Sequence, residues 1–135
     1  MNGGDDEVNQ KIGISYFRIA ATDQSASDVE KESTRQKKIE SYASEQEILI
    51  VRQYADIGYS GLDMDRPSVK QILNDLRANE EKIDCLLVDS TASLSRDTVE
   101  LMELLKQLNQ YVESVISVDE GELIDLGIEL DYNAN

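Results

Sequence analysis

The residues best equipped for chemistry in this chain are arginines and aspartates at the ends of apolar runs. Arg18 closes the run Gly13-Ile14-Ser15-Tyr16-Phe17, Asp56 follows Ile48-Leu49-Ile50-Val51 at a short distance, and Asp89 follows Cys85-Leu86-Leu87-Val88. Arg66 and Arg96 each stand just ahead of a helical pattern. A guanidinium fork holds an oxyanion through paired N–H donors, and ligands in parallel sheets bind beyond the carboxyl ends of the strands. Arg18, Asp56 and Asp89 are therefore expected to converge. Two outcomes stay open: Arg18, Arg66 and Arg96 hold a phosphate or sulfate weakly, or Arg18 and Arg96 pair with Asp56 and other carboxylates and only fasten the loops. A third reading takes Asp56, Asp89 and Asp119, each following a strand, as a Mg2+ site. The sequence has no histidine and a single cysteine, which excludes His-based zinc sites, cysteine clusters and the usual imidazole base. Neither glycine-rich phosphate-loop fingerprint occurs, so no cofactor is expected.

Three segments carry a more specific signal. Tyr16-Phe17-Arg18-Ile19-Ala20 closes the first expected strand. Tyr54-Ala55-Asp56-Ile57-Gly58-Tyr59-Ser60-Gly61 leads to Asp65-Arg66-Pro67, and Leu94-Ser95-Arg96-Asp97 opens a later helix. Together they resemble the catalytic domain of the serine recombinases, the resolvases and DNA invertases. That family's motifs read Tyr-x-Arg-Val-Ser, Tyr-x-Asp-x-Gly-x-Ser-Gly…Asp-Arg-Pro and Leu-Asp-Arg-Leu-Ser-Arg. The resemblance covers roughly residues 11–119. It implies a resolvase-like fold and, in intact members, attack of a serine hydroxyl on a DNA phosphate to give a covalent 5'-phosphoserine. Arg18, Gln24, Asp56, Arg66 and Arg96 match family active-site positions. Ala20 stands at the nucleophile, and Ala92 and Ser93 stand at a family aspartate and arginine. Arg35 aligns with a second family glutamine, with Gln36 adjacent and the register open. A methyl group has no lone pair to offer, so the resemblance implies the fold while arguing against the chemistry. Thr22 and Ser25 are the neighbouring hydroxyls that could stand in.

Charge narrows the partners. Thirteen basic and 28 acidic residues give a net charge of −15, opposite to what counterion displacement on a nucleic-acid backbone needs. The chain alone is expected to bind DNA weakly or not at all. No Lys or Arg follows Lys106, and residues 119–131 alternate acidic with apolar side chains. No DNA-binding module like that of the family is expected. No apolar run is long enough to span a bilayer and residues 1–7 lack signal-peptide character, so a cytoplasmic location is expected.

The elements follow from periodicity. Residues 1–10 read as a disordered leader, 11–119 as one resolvase-like domain and 120–135 as an acidic tail. Strands are expected over 11–18, at 48–51 (buried on both faces), over 83–89 and at 115–118. Helices are expected over 28–46, from Pro67 with Val69, Ile72, Leu73 and Leu76 on one face, and over 97–111 with Leu101, Leu104, Leu105 and Leu108 on one face. Ser27 and Glu30 have capping-box spacing, and the basic residues of 31–38 read as a solvated face. Tyr42, Tyr54, Tyr59 and Tyr111 read as packing residues and Cys85 as a core thiol. Strands alternating with helices give an α/β three-layer sandwich with a predominantly parallel sheet. The function expected is a catalytically inactive resolvase/invertase-like domain regulating a recombinase or other DNA-acting enzyme through protein contacts, with a homodimer allowed. The alternatives are an active or accessory recombinase domain, an acidic DNA mimic, or a Mg2+-binding α/β domain.

Overall fold

A computed structural model describes residues 10–19, 28–58, 66–78 and 81–123. Five strands, β1 (Lys11–Ile19), β2 (Ile48–Ile57), β3 (Cys85–Val88), β4 (Ser114–Ser117) and β5 (Gly121–Leu123), form one sheet in the order β2-β1-β3-β4-β5. The first four run parallel and β5 pairs antiparallel to β4. The helices are α1 (Asp28–Glu45), α2 (Pro67–Ala78), α3 (Thr91–Leu94) and α4 (Thr98–Leu108). The α/β reading with a mostly parallel sheet holds.

Successive side chains of a strand point to opposite faces, and β1 and β3 feed two cores. Ile14 and Tyr16 of β1 and Leu86 and Val88 of β3 pack with Ile72 and Leu76 of α2 and Leu104, Leu105 and Leu108 of α4. Phe17, Ile19, Cys85 and Leu87 pack on the other side with Ile39 and Ala43 of α1. The chain leaves β1 for β2 on one side, then returns to β3 on the other side of β1. The strand order reverses there, and this opens the crevice in which α/β sheets place ligands.

Residues 48–51 are not buried on both faces. Leu49 is 48% exposed and Val51 44%, because β2 is an edge strand. Pairing passes from Gly13↔Ile50 to Ile14↔Arg52, which leaves Val51 without a partner at a bulge. The strand runs on to Ile57, well past the apolar run. Two short elements also went unread: α3, whose four residues show no helical period, and β5, inside the segment read as tail. Ser27 lies outside the described residues. α1 ends where Glu47 takes a left-handed conformation at φ 58°.

Burial pushes the Cys85 thiol up to about 11, as expected of a core sulfur. Tyr42, Tyr54 and Tyr111 pack against the two cores, and Tyr59 lies outside the described residues. Among the described residues, no helix is long and apolar enough to cross a membrane.

A buried polar link fixes where α2 begins. Tyr16 Oη donates to Asp56 Oδ2 at 2.8 Å, and Asp56 Oδ1 accepts from the backbone N–H of Ser68 at 3.1 Å. Ser68 Oγ donates to the Ala55 carbonyl at 2.7 Å. Pro67 has no N–H to satisfy at the first helical position, so Asp56 takes the next orphan donor and stabilises the positive helix end. Burial and then the Asp56 charge drive the Tyr16 phenol far above the ordinary tyrosine range.

Two outcomes follow. An added Cβ at Gly13 would sit 2.9 Å from Ile48 Cγ2 and 3.0 Å from Cys85 Sγ, so Gly13→Ala should cost about 1–3 kcal/mol. An unchanged urea midpoint would contradict this. Tyr16 stays neutral in the fold while the unfolded chain ionises near pH ~10, so its contribution is complete below that pH and lost as pH rises above it. The urea midpoint should fall on the alkaline side, and Tyr16→Phe should shallow that fall; an identical slope in the variant would rule the linkage out.

Candidate functional site

The carboxyl ends of β1 and β3 supply the centre of the site. Arg18 is the second-to-last residue of β1, and the alternation that sends Ile14 and Tyr16 toward α2 and α4 sends its side chain to that face. Its Nη2 donates to the Ala92 carbonyl at 2.9 Å, and its backbone N–H donates to Ser93 Oγ at 3.3 Å. Ser93 Oγ donates in turn to Asp89 Oδ1 at 2.5 Å. Asp89 Oδ2 accepts from Arg35 Nη1 of α1 at 2.7 Å. Arg66, just ahead of α2, donates Nη1 to the Ser93 carbonyl at 2.7 Å and Nη2 to the Leu94 carbonyl. The short helix α3 is thus held by Arg18 from below and Arg66 from the side.

These groups are deep. Arg18 is 5% exposed, Arg66 3%, Asp89 1% and Ser93 2%. A charge so buried is tolerated only when its hydrogen-bonding capacity is met, and the carbonyls of 92–94 meet part of it for both arginines. Arg96 is exposed but acts on the same spot. Burial, then the positive charge of Arg96, with Arg66 and Arg35 adding to it and Tyr16 opposing, pulls the Arg18 guanidinium below the ordinary arginine range. Four of the six arginines in an acidic chain are therefore electrostatically joined at one crevice.

The turn after β4 closes one side. Glu120 Oε1 accepts from Thr91 N–H at 2.9 Å and from the Ser117 hydroxyl, and Lys38 Nζ lies 2.5 Å from Asp119 Oδ1. The Ser117 bond, then the Thr91 N–H, hold the Glu120 carboxyl below its usual range. At the start of α4, Asp97 Oδ1 accepts from Glu100 N–H at 3.0 Å and fixes the helix that follows Arg96.

The structure brings together Arg18, Arg66, Arg96, Ala92, Ser93 and Asp89. Asp56 joins only through Tyr16, and both its oxygens are taken, by Tyr16 and by Ser68. Arg35 pairs with Asp89, a contact the sequence reading did not name, and Arg18 Nη2 reaches the Ala92 carbonyl. Ala20, Gln24, Thr22 and Ser25 lie outside the described residues. The three aspartates of the Mg2+ reading have separate partners: Asp56 binds Tyr16, Asp89 binds Arg35 and Asp119 binds Lys38, and no cluster of three metal-ligating side chains occurs among the described residues.

Sequence reasoning marked Arg35 only as aligned with a family glutamine and read it, with Lys38, as part of a solvated face; both side chains instead reach aspartates, Asp89 and Asp119. The signal was there: Arg35 and Lys38 are three apart, and Ile39 follows Arg35 by four and points into the core, so one side of α1 faces the sheet. Ser93 was counted as a lost arginine; its hydroxyl is a link in the network.

Arginines gather at the switch point of a parallel sheet, and solved structures share the fold that places them there. The N-terminal catalytic domain of TP901-1 integrase is 24% identical with a TM-score of 0.67, over 82% of this chain and 79% of that one. A resolvase family site-specific recombinase from Streptococcus pneumoniae is 20% identical with a TM-score of 0.67, over 83% and 74%. The C-terminal catalytic domain of ISC1926 TnpA, an IS607-like serine recombinase, is 18% identical with a TM-score of 0.65, over 79% and 69%. At these identities the likeness speaks for the fold. None of the curated proteins matches the chain significantly. The family model for the resolvase N-terminal domain matches residues 13–131, and with that span matched the chain belongs to the resolvase N-terminal domain family.

Proposed function

We propose that this chain is a resolvase-fold domain without strand-transfer chemistry, acting in the cytoplasm through protein contacts to regulate a recombinase or another DNA-acting enzyme. The observation that carries the reading is the pairing of Ala20, where the family keeps its nucleophile, with a cradle whose guanidiniums hold the chain's own atoms. Arg18 and Arg66 grip the carbonyls of 92–94, and Arg35 grips Asp89. Losing a nucleophile costs on the order of 10^6 in turnover. Losing one electrostatic donor, as Ser93 in place of arginine does, costs ~10^2–10^3 when the nucleophile is present, a loss that does not multiply with the first. The net charge of −15 disfavours duplex binding by the chain alone. The exposed edge strand β2, with Leu49 and Val51 on its surface, offers a partner or a second copy both backbone and apolar contacts.

A second reading, an active or accessory recombinase domain, is favoured by Ser93. A serine hydroxyl on a carboxylate, itself oriented by a third group, is the pattern of an activated nucleophile. Against it stand the 2% exposure of Ser93 and the two arginines that pin its backbone neighbours.

Capture of the tagged chain from its native cells separates the two. Under native conditions it should retain a recombinase or other DNA-acting enzyme. Under denaturing conditions it should carry no DNA and no phosphoserine; a phosphodiester-linked adduct at Ser93 or any other hydroxyl would overturn the proposal. Restoring the hydroxyl by Ala20→Ser should leave strand transfer at least ~100-fold below an intact relative, because the cradle still lacks a donor; full activity in that single variant would contradict the account.

A further inference from the structure

We infer that the alternating acidic and apolar segment 124–132 of one copy of this chain docks as an added strand on the exposed edge β2 of a second copy. This names the partner that β2 takes, and it rests on the proposed function only in treating β2 as a contact surface.

β2 is a free edge of the sheet, and an edge of this kind is a template for a further strand. Its first eight residues, Ile48 to Ala55, contain no Asp or Glu, in a chain with a net charge of −15. Charge of that size drives copies apart, so an acid-free edge is where two copies meet with least repulsion. The two faces of the edge differ. On the α1 side, Ile48 and Ile50 line an open trough of about 340 Å³ together with Ala43 and Ser44. Glu40, which also lines it, is engaged by Gln36 and Gln53. On the opposite face Arg52 is exposed and bonded to Tyr54, whose hydroxyl donates to Asp75.

The segment carries the matching pattern. Apolar residues stand at every even position from Ile124 to Tyr132, and Asp125, Glu129 and Asp131 stand between them, the period of a strand with one apolar and one polar face. Laid along β2, such a strand turns its apolar side chains into the trough and its carboxylates to the face of Arg52. A slip of one residue would set three carboxylates against Ile48 and Ile50, so the side-chain pattern fixes the register. The segment cannot serve the β2 of its own molecule. It follows β5, at the other edge of the sheet, four strand spacings or about 19 Å from β2, and helices pack on both faces. Crossing that span takes about six of the nine residues even in a straight line, which leaves too few to pair.

Sedimentation of the purified full chain, with no other protein present, reads this contact separately from the capture of a foreign enzyme, so either idea can fail alone. The wild type should self-associate as its concentration rises; a wild type that stays monomeric overturns the inference. Ile128→Asp charges the apolar face of the segment, and Leu49→Glu places an acid on the exposed edge. Each should weaken self-association at least about tenfold, with the circular dichroism of a folded chain; if Leu49→Glu fails to fold, Arg52→Glu, at another exposed position of β2, takes its place. Mixed, the segment variant and the edge variant should form a one-to-one complex at concentrations where each alone is monomeric, because one supplies the edge and the other the segment. Undiminished association of either variant overturns the inference, and Ile128→Asp associating as well as the wild type would point to β2 pairing with β2. A mixture that remains monomeric overturns it as well.

Discussion

The bond pair at Asp89, to the Arg35 guanidinium on one side and the Ser93 hydroxyl on the other, is the constraint around which the crevice is arranged. A carboxylate taken out of water loses several kcal/mol of hydration, and only close, well-directed donors restore it. Once Asp89 is fixed, Ser93 is fixed, and with Ser93 the backbone that Arg18 and Arg66 both grip. α1 is held to the same end of the sheet through Arg35, and Lys38 repeats the contact one turn on with Asp119. Breaking a fully buried pair costs roughly 3–5 kcal/mol; here the cost is smaller, because the Arg35 side chain is 30% exposed and partly screened.

This arrangement separates what a fold supplies from what a reaction needs. The sheet order, the switch point beside β1 and the inward arginines are all present, so the scaffold of the resolvase family is intact in the described residues. Chemistry needs a nucleophile and donors free to meet charge as it develops. At position 20 the sequence has alanine, and Arg18 Nη2 with Arg66 Nη1 and Nη2 donate to α3 carbonyls. Asp56 has likewise become part of the frame, capping α2 and holding Tyr16. Function on such a scaffold is argued from the site rather than from the fold.

Much of the fold was legible because it rests on local pattern. Val69, Ile72, Leu73 and Leu76 repeat at helical spacing and form the inner face of α2, as Leu104, Leu105 and Leu108 do for α4. Pro67 marked the first residue of its helix. β2 was misjudged because four apolar residues in a row look the same whether a strand is central or at an edge; only the partner on each side decides, and that is tertiary information. α3 and β5 are too short to leave a period. Of the site, Arg18, Arg66 and Arg96 were legible from their places at a strand end and ahead of helices as well as by resemblance, and Ser93 by resemblance alone. Arg35 was hidden by its neighbours, since a helix rich in Lys, Arg and Glu reads as solvated until the sheet beneath one of its faces is known. The Asp89–Ser93 bond joins residues four apart across a turn, and no composition or spacing rule distinguishes it from two unrelated polar residues.

Arginine side-chain NMR tests the central claim most directly, because rotation about the guanidinium is slow when its N–H groups are held and fast when they face water. The account predicts separate, slowly exchanging Nη resonances for Arg18, Arg35 and Arg66, beside averaged signals for exposed Arg96, and predicts that Asp89→Asn releases Arg35 first. Averaged signals from all four arginines would contradict it, because the crevice would then be open and its guanidiniums available to an outside phosphate.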